Sequence, residues 1–200
     1  MKSFLISLFI ISMFYGCNSS DILYEGTIME SGNWIVEQQP GGTVTFENNQ
    51  IEIEDAKGCT VWLKHKLDGA VKIEYDVTVV DEGGAFDRVS DLNCFWMAKD
   101  PKNANDFFKT SEKRAGKFSN YHGLAQYYVG MGGHNNTKTR FRRYTGDGER
   151  PLLPEHDLTD PEFLITANKE VHIILIANGN EVKYLRDGEV IFEMNDPNPY

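Results

Sequence analysis

The sequence predicts an all-β protein, a two-sheet antiparallel β-sandwich of the jelly-roll type. Three observations carry this. Apolar and polar residues alternate with period two through most of the chain. Turn formers punctuate the alternation: "PGG" at Pro40, "ENNQ" at Glu47, "LDG" at Leu67, "NGN" at Asn178 and "RDG" at Arg186. Only residues 102–116, "KNANDFFKTSEKRAG", read as loop or brief helix. Many short strands with almost no helix must bury their apolar faces against a second sheet.

The elements follow in order. Residues 1–16 read as a leader. Lys2 supplies a positive start, and "FLISLFIISMF" is an apolar run too short for an ordinary membrane span. Gly16 then precedes Cys17, which resembles the lipobox of bacterial lipoproteins. The resemblance implies cleavage before Cys17 and its lipidation; plain secretion with an unmodified Cys17 is the alternative. Residues 17–23 read as a polar tether. The strands expected after it are 24–28, 34–37, 43–47, 50–54, 60–64, 71–80, 90–98, 124–131, 139–144, 171–177, 181–186 and 190–194. The "NGN" and "RDG" turns close hairpins between the last three. Residues 24–200 suffice for one domain with a substantial core.

Composition narrows the partners. Twenty basic and 30 acidic residues give a formal net charge of −10, which disfavours nucleic acid and anionic lipid surfaces. A membrane is therefore expected as a partner through the lipid anchor only. Cys59 and Cys94 sit in apolar runs, "CTVWL" and "LNCFWM", without CxxC or histidine spacing. They read as separate buried thiols or as a disulfide, and not as zinc ligands. No cluster of oxygen ligands marks a calcium site, and no metal or cofactor is expected.

The closing stretch "EVHIILIANGNEVKYLRDGEVIFEMNDPNPY" resembles the last strands of concanavalin A-like lectin/glucanase jelly rolls. "VKIEYDVTVV" and "DRVSDLNCFWMAKDP" resemble two consecutive strands of the same superfamily. The blocks "SDLNCFWMAKDP", "YYVGMGGHNNTKTRFRRY" and "RPLLPEHDL" resemble an uncharacterised Bacteroidota lipoprotein family, a domain of unknown function linked to polysaccharide utilisation. The likeness implies a glycan ligand and a place in the bacterial cell envelope, at the outer membrane or its periplasmic face. The sequence stops at "DPNPY", where such domains continue with one or two strands, so a C-terminal extension is expected.

Candidate site residues come from strand faces. In 90–98, Leu92, Cys94 and Trp96 share the core face, leaving Asp91, Asn93, Phe95 and Met97 outward. A carboxylate, an amide and an aromatic on one outward face suit a sugar groove. Alternatively, Phe95 and Met97 lie under a loop and Asp91 caps a turn. In 139–144, Arg140, Arg142 and Tyr144 share one face, with the two arginines about 7 Å apart, close enough to grip one anion. Pairing with Asp147, Glu149 or Asp157 is the plain alternative. "GMGGHNN" presents His134 or simply turns the chain, and it lacks the Lys-Ser or Lys-Thr of a phosphate loop.

No Glu-x-Asp set or carboxylate pair suits the glucanase mechanism. A lyase needs a cation or amide to neutralise a uronate and a Tyr or His to move the C5 proton. Asp91, Asn93, Phe95, Arg140 and Arg142 are the candidate substrate-binding residues; His134, Tyr128 and Tyr144 are the candidate catalytic ones. The reading is a carbohydrate-active envelope protein, a lyase or hydrolase on an acidic, uronate-containing glycan. A non-catalytic glycan-binding lipoprotein and a structural subunit without a groove stay beside it. The lipobox reading has a direct test: Cys17→Ser should move the protein from the membrane fraction to the soluble fraction. Unchanged fractionation would remove the anchor.

Overall fold

The computed structural model of the chain describes residues 30–200. The leader, the tether with Cys17 and the expected strand 24–28 lie outside the described residues. The strands are β1 (Trp34–Gln38), β2 (Thr43–Glu47), β3 (Gln50–Glu54), β4 (Cys59–Leu63), β5 (Val71–Thr78), β6 (Leu92–Lys99), β7 (Ala125–Gly132), β8 (Lys138–Thr145), β9 (Asp157–Leu158), β10 (Glu170–Asn178), β11 (Glu181–Arg186) and β12 (Glu189–Asn195). A front sheet runs β6-β7-β8-β9 and a back sheet β12-β11-β10-β5, while β1-β4 and β2-β3 form two-stranded ribbons. The pairings are antiparallel throughout. This is the β-sandwich that the alternation predicts.

The core lies between the four-stranded sheets. Trp96, Tyr127, Val129 and Phe141 of the front sheet meet Ile173, Leu175, Ala177, Val182, Tyr184 and Phe192 of the back sheet. These are alternate residues of their strands, the set that a two-residue side-chain period sends to one face. The inner layer also holds a charge. Asp196, 2 % exposed, accepts hydrogen bonds from the Tyr127 hydroxyl (2.7 Å) and from Arg143 Nε (2.7 Å). The Arg143 guanidinium stacks 4.3 Å from the Tyr200 ring centroid. Residues 196–200 are thereby tied to the front sheet.

Three local expectations are corrected. Met97 was placed on the outer face, yet it packs against the core. The register shifts between Trp96 and Lys99, and Met97 adopts φ 54°. An extra residue at a bulge reverses the alternation beyond it. The pair β9 was not foreseen, because two residues are too few to show a period. The irregular stretch also runs past 116: 3-10 turns at Phe107–Thr110 and Phe118–Tyr121 flank a single helical turn at Ser111–Arg114. Cys59 and Cys94 are separate free thiols, and burial pushes each up to about 12.

The stretch from Phe107 to Tyr121 is held down by one buried cluster. Glu37 of β1 is 2 % exposed and Arg114 is 3 % exposed. The Glu37 carboxylate accepts from Arg114 Nε (3.0 Å) and Nη2 (2.6 Å), from Ser111 Oγ (2.7 Å) and from the Tyr121 hydroxyl (2.7 Å). Arg114 Nη1 donates to the Phe107 carbonyl and to Thr110 Oγ1, both at 2.9 Å. Backbones meet closely beside it: a Cβ on Gly116 would stand 2.3 Å from the Gly58 carbonyl oxygen, so only glycine fits.

Two stability predictions follow from this packing. Trp96→Ala should cost about 3–5 kcal/mol in urea unfolding, the range for a buried aromatic; a loss under about 1 kcal/mol would take Trp96 out of the core. Arg114→Ala strands a buried carboxylate and should cost about 3–5 kcal/mol. A near-neutral Arg114→Ala would mean that the Glu37 cluster does not hold the stretch.

Candidate functional site

Strand register assembles the site on the outer face of the front sheet. Asn93 of β6, Gly130 of β7 and Arg140 of β8 form one cross-strand row. Phe95, Tyr128 and Arg142 form the next, and Gln126 pairs with Tyr144 in the third. Five of the expected residues (Asn93, Phe95, Tyr128, Arg140 and Arg142) thus lie in two adjacent rows, with Tyr144 beside them. Gly130 makes the arrangement possible: a Cβ there would lie 2.0 Å from the Tyr128 hydroxyl. In its absence, that hydroxyl reaches along the sheet and donates to Asn93 Oδ1 at 3.0 Å.

The expected residues differ in what they are free to do. Phe95 was expected as a sugar platform, but its ring packs among Trp62, Phe118, Tyr121 and Tyr128 at centroid distances of 5.7, 6.4, 5.6 and 5.3 Å. The ring that reaches solvent is Phe118, 39 % exposed. Asp91 lies just before β6 with φ 59° and is paired to Arg88 at 2.9 Å; it serves the turn, as the plain alternative had it. Arg140 is also paired, through Nε to Asp157 Oδ1 at 2.8 Å and Nη2 to Oδ2 at 3.0 Å. His134 stands exposed in a left-handed turn, with Nε2 2.9 Å from Arg140 Nη1.

Arg142 is different. It forms no salt bridge among the described residues; its Nη1 donates to the Arg150 carbonyl at 2.5 Å. Burial and the neighbouring Arg140 and Arg150 cations lower its pKa from the ordinary guanidinium value. Arg150 likewise has no carboxylate partner among the described residues, and its Nη1 lies 3.1 Å from His122 Nε2. Burial, then the charges of Arg150 and Arg142, lower the His122 pKa, so its imidazole is neutral near pH 7. The sequence reading missed Phe118, His122 and Arg150. The first two lie in the irregular stretch and its continuation, and the third in a turn, where no period assigns a face.

The two tyrosines are buried phenols. Burial is the main cause that raises the Tyr128 pKa well above the ordinary value. The Tyr144 hydroxyl is fully buried; among the described residues the Arg150 side chain is its polar neighbour, short of ordinary hydrogen-bond geometry. Burial raises its pKa, and the nearby Arg150 and Arg142 offset part of that rise. Both phenols are protonated at neutral pH and offer O–H donors. Among the described residues no group of three or more His, Cys, Asp or Glu side chains is placed to hold a metal ion.

Two solved structures share this architecture. One is a Bacillus subtilis protein of unknown function with a galectin-like fold; it aligns with a TM-score of 0.62 at 18% identity over 88% of this chain and 80% of that one. The other is the carbohydrate binding module CBM66 from Bacillus subtilis, with a TM-score of 0.50 at 14% identity over 84% and 81% of the two chains. At such identities the likeness is one of fold. No curated protein matches the sequence. A family model covers residues 53–200, three-quarters of the chain, and by that match the chain belongs to the domain-of-unknown-function family DUF6250.

Proposed function

We propose that this protein recognises an acidic, uronate-containing polysaccharide on the outer face of its front sheet, as a lipid-anchored protein of the bacterial cell envelope. The observation that carries the reading is Arg142, a half-buried cation with no salt bridge among the described residues, on the same face as the exposed Phe118 ring. An aromatic ring suits the C–H face of a sugar, and a guanidinium suits its carboxylate. Asn93 and Tyr128 supply polar edges for hydroxyl groups. The fold neighbour named as a carbohydrate binding module supports the sugar part of the reading.

Recognition is better supported than hydrolysis. Asp91 and Asp157 are each committed to an arginine, whereas a retaining glycosidase needs two carboxylates about 5 Å apart over the bond it cleaves. A lyase is the second reading. It is favoured by the neutral His122 beside two guanidiniums, one to take a proton and the others to neutralise a uronate.

The full chain should therefore bind acidic members of a polysaccharide panel more tightly than neutral ones. Arg142→Ala should weaken uronate polymers by roughly 2–3 kcal/mol, the scale of a charge-assisted contact, and should flatten the salt dependence. Phe118→Ala should weaken acidic and neutral polymers alike. Lys72→Ala, in the back sheet, is the control; Arg143 is unsuitable because its loss would strand the buried Asp196. Equal binding by the parent and Arg142→Ala would sink the proposal. New absorbance from unsaturated products would select the lyase reading, and binding without it the non-catalytic one.

A further inference from the structure

The front-sheet arginines divide into two kinds. Arg140 is matched by Asp157 and Arg143 by Asp196. Arg142 and Arg150 are left unmatched, yet the fold brings them together, since the Arg142 guanidinium is anchored on the Arg150 backbone. Neighbouring guanidiniums repel, and partial burial strengthens that repulsion. Asp157 feels the Arg142 charge but spends both oxygens on Arg140, and no described carboxylate forms a salt bridge with Arg142 or Arg150.

Three further groups surround the pair. The Arg150 guanidinium lies 5.8 Å from the Tyr144 ring centroid. The Tyr144 hydroxyl beneath it is buried, with the Arg150 side chain as its polar neighbour. His122 meets Arg150 through Nε2 and stands edge-on to the Tyr144 ring at 6.0 Å. Phe118 closes one side, 5.3 Å from His122. The charged and titratable groups around His122 are thus Arg150, Arg142 and Tyr144.

We infer that Arg142 and Arg150, above the buried Tyr144 ring, form a seat for one carboxylate of the glycan, with His122 holding Arg150 in place from behind. This rests on the glycan reading above and names the group recognised. A carboxylate accepts from both guanidiniums and relieves the repulsion between them. His122 is a positioning residue here. Its Nε2 accepts from Arg150 while the imidazole is neutral, and a seated anion favours the protonated ring. Between the free and the occupied pKa of His122, binding takes up a proton, so affinity rises as pH falls through that window.

Two measurements test the seat. In the first, the His122 imidazole of the full chain is followed by NMR through a pH titration, alone and with sodium galacturonate or galactose. Galacturonate should raise the His122 pKa and galactose should not. In Arg150→Gln the free pKa should rise, because a nearby cation is gone, and the galacturonate-induced shift should shrink several-fold. No shift in the parent in roughly 100 mM galacturonate, far above the Kd expected of a two-arginine seat, would overturn the inference, as would an undiminished shift in the variant.

The second measurement compares a native polygalacturonate with its carboxyl-reduced twin and with a sulfated neutral polymer. Arg150→Gln should lose roughly tenfold or more on the native polymer and little on the reduced one. An equal loss on both would overturn the seat, and a preference for the sulfated polymer would overturn its assignment to carboxylate. If the parent binds none of these polymers, the glycan reading fails while the NMR titration still decides the seat.

Discussion

The outer face of the front sheet depends on the buried Glu37–Arg114 pair. Nothing in the β6–β9 ladder by itself places the Phe118 ring beside Tyr128, the row partner of Arg142. That placement comes from the stretch between β6 and β7, which has little regular structure of its own and carries Phe118 and His122. Glu37 gathers Arg114, Ser111 and the Tyr121 hydroxyl onto β1, and Tyr121 in turn packs on Phe95 and Trp62. A buried ion pair is weak grounds for stability, but each of its ions is costly to leave alone. Its work here is positional: the stretch cannot shift without exposing or stranding one of the charges.

A second apolar cluster results, on the side of the sheet opposite the main core. Trp62, Tyr121 and Leu124 are buried there, with Phe95, Phe107 and Phe108 packed against them. β7 is consequently buried along its whole length, an unusual state for a strand of a sandwich with one solvated face. Phe118, itself exposed, packs on Phe95 of this cluster, and Arg142 and Arg150 are partly buried, so the candidate site does not lie on a flat exposed sheet.

The electrostatics fit that geometry. The chain is strongly acidic overall, and Arg140 and Arg143 are consumed by its own carboxylates. Two unmatched guanidiniums in a partly buried place are therefore a local exception. Partial burial lowers the dielectric around them and strengthens their attraction for an anion. The general negative charge weakens nonspecific capture of anionic polymers elsewhere on the surface. Selectivity for an acidic ligand would come from this contrast.

How much of this was legible follows from how each signal arises. Strand alternation is local, so the sandwich, the core face of Leu92, Cys94 and Trp96, and the shared outer face of Arg140, Arg142 and Tyr144 were readable from the chain. β2, β3 and β11 fall on their expected residues. Met97 was misplaced because a bulge leaves no mark in periodicity. Which arginine is free could not be read at all: Asp157 and Asp196 lie 17 and 53 residues from their partners. Nor could Phe118, His122 and Arg150 be placed, since irregular segments acquire a direction only from what they pack against. The sequence by itself determined which residues share a strand face, because the side-chain period of a strand is a property of the backbone. Only the tertiary structure decided which of those residues are spent on one another and which remain for a ligand, because pairing depends on neighbours that folding alone brings together.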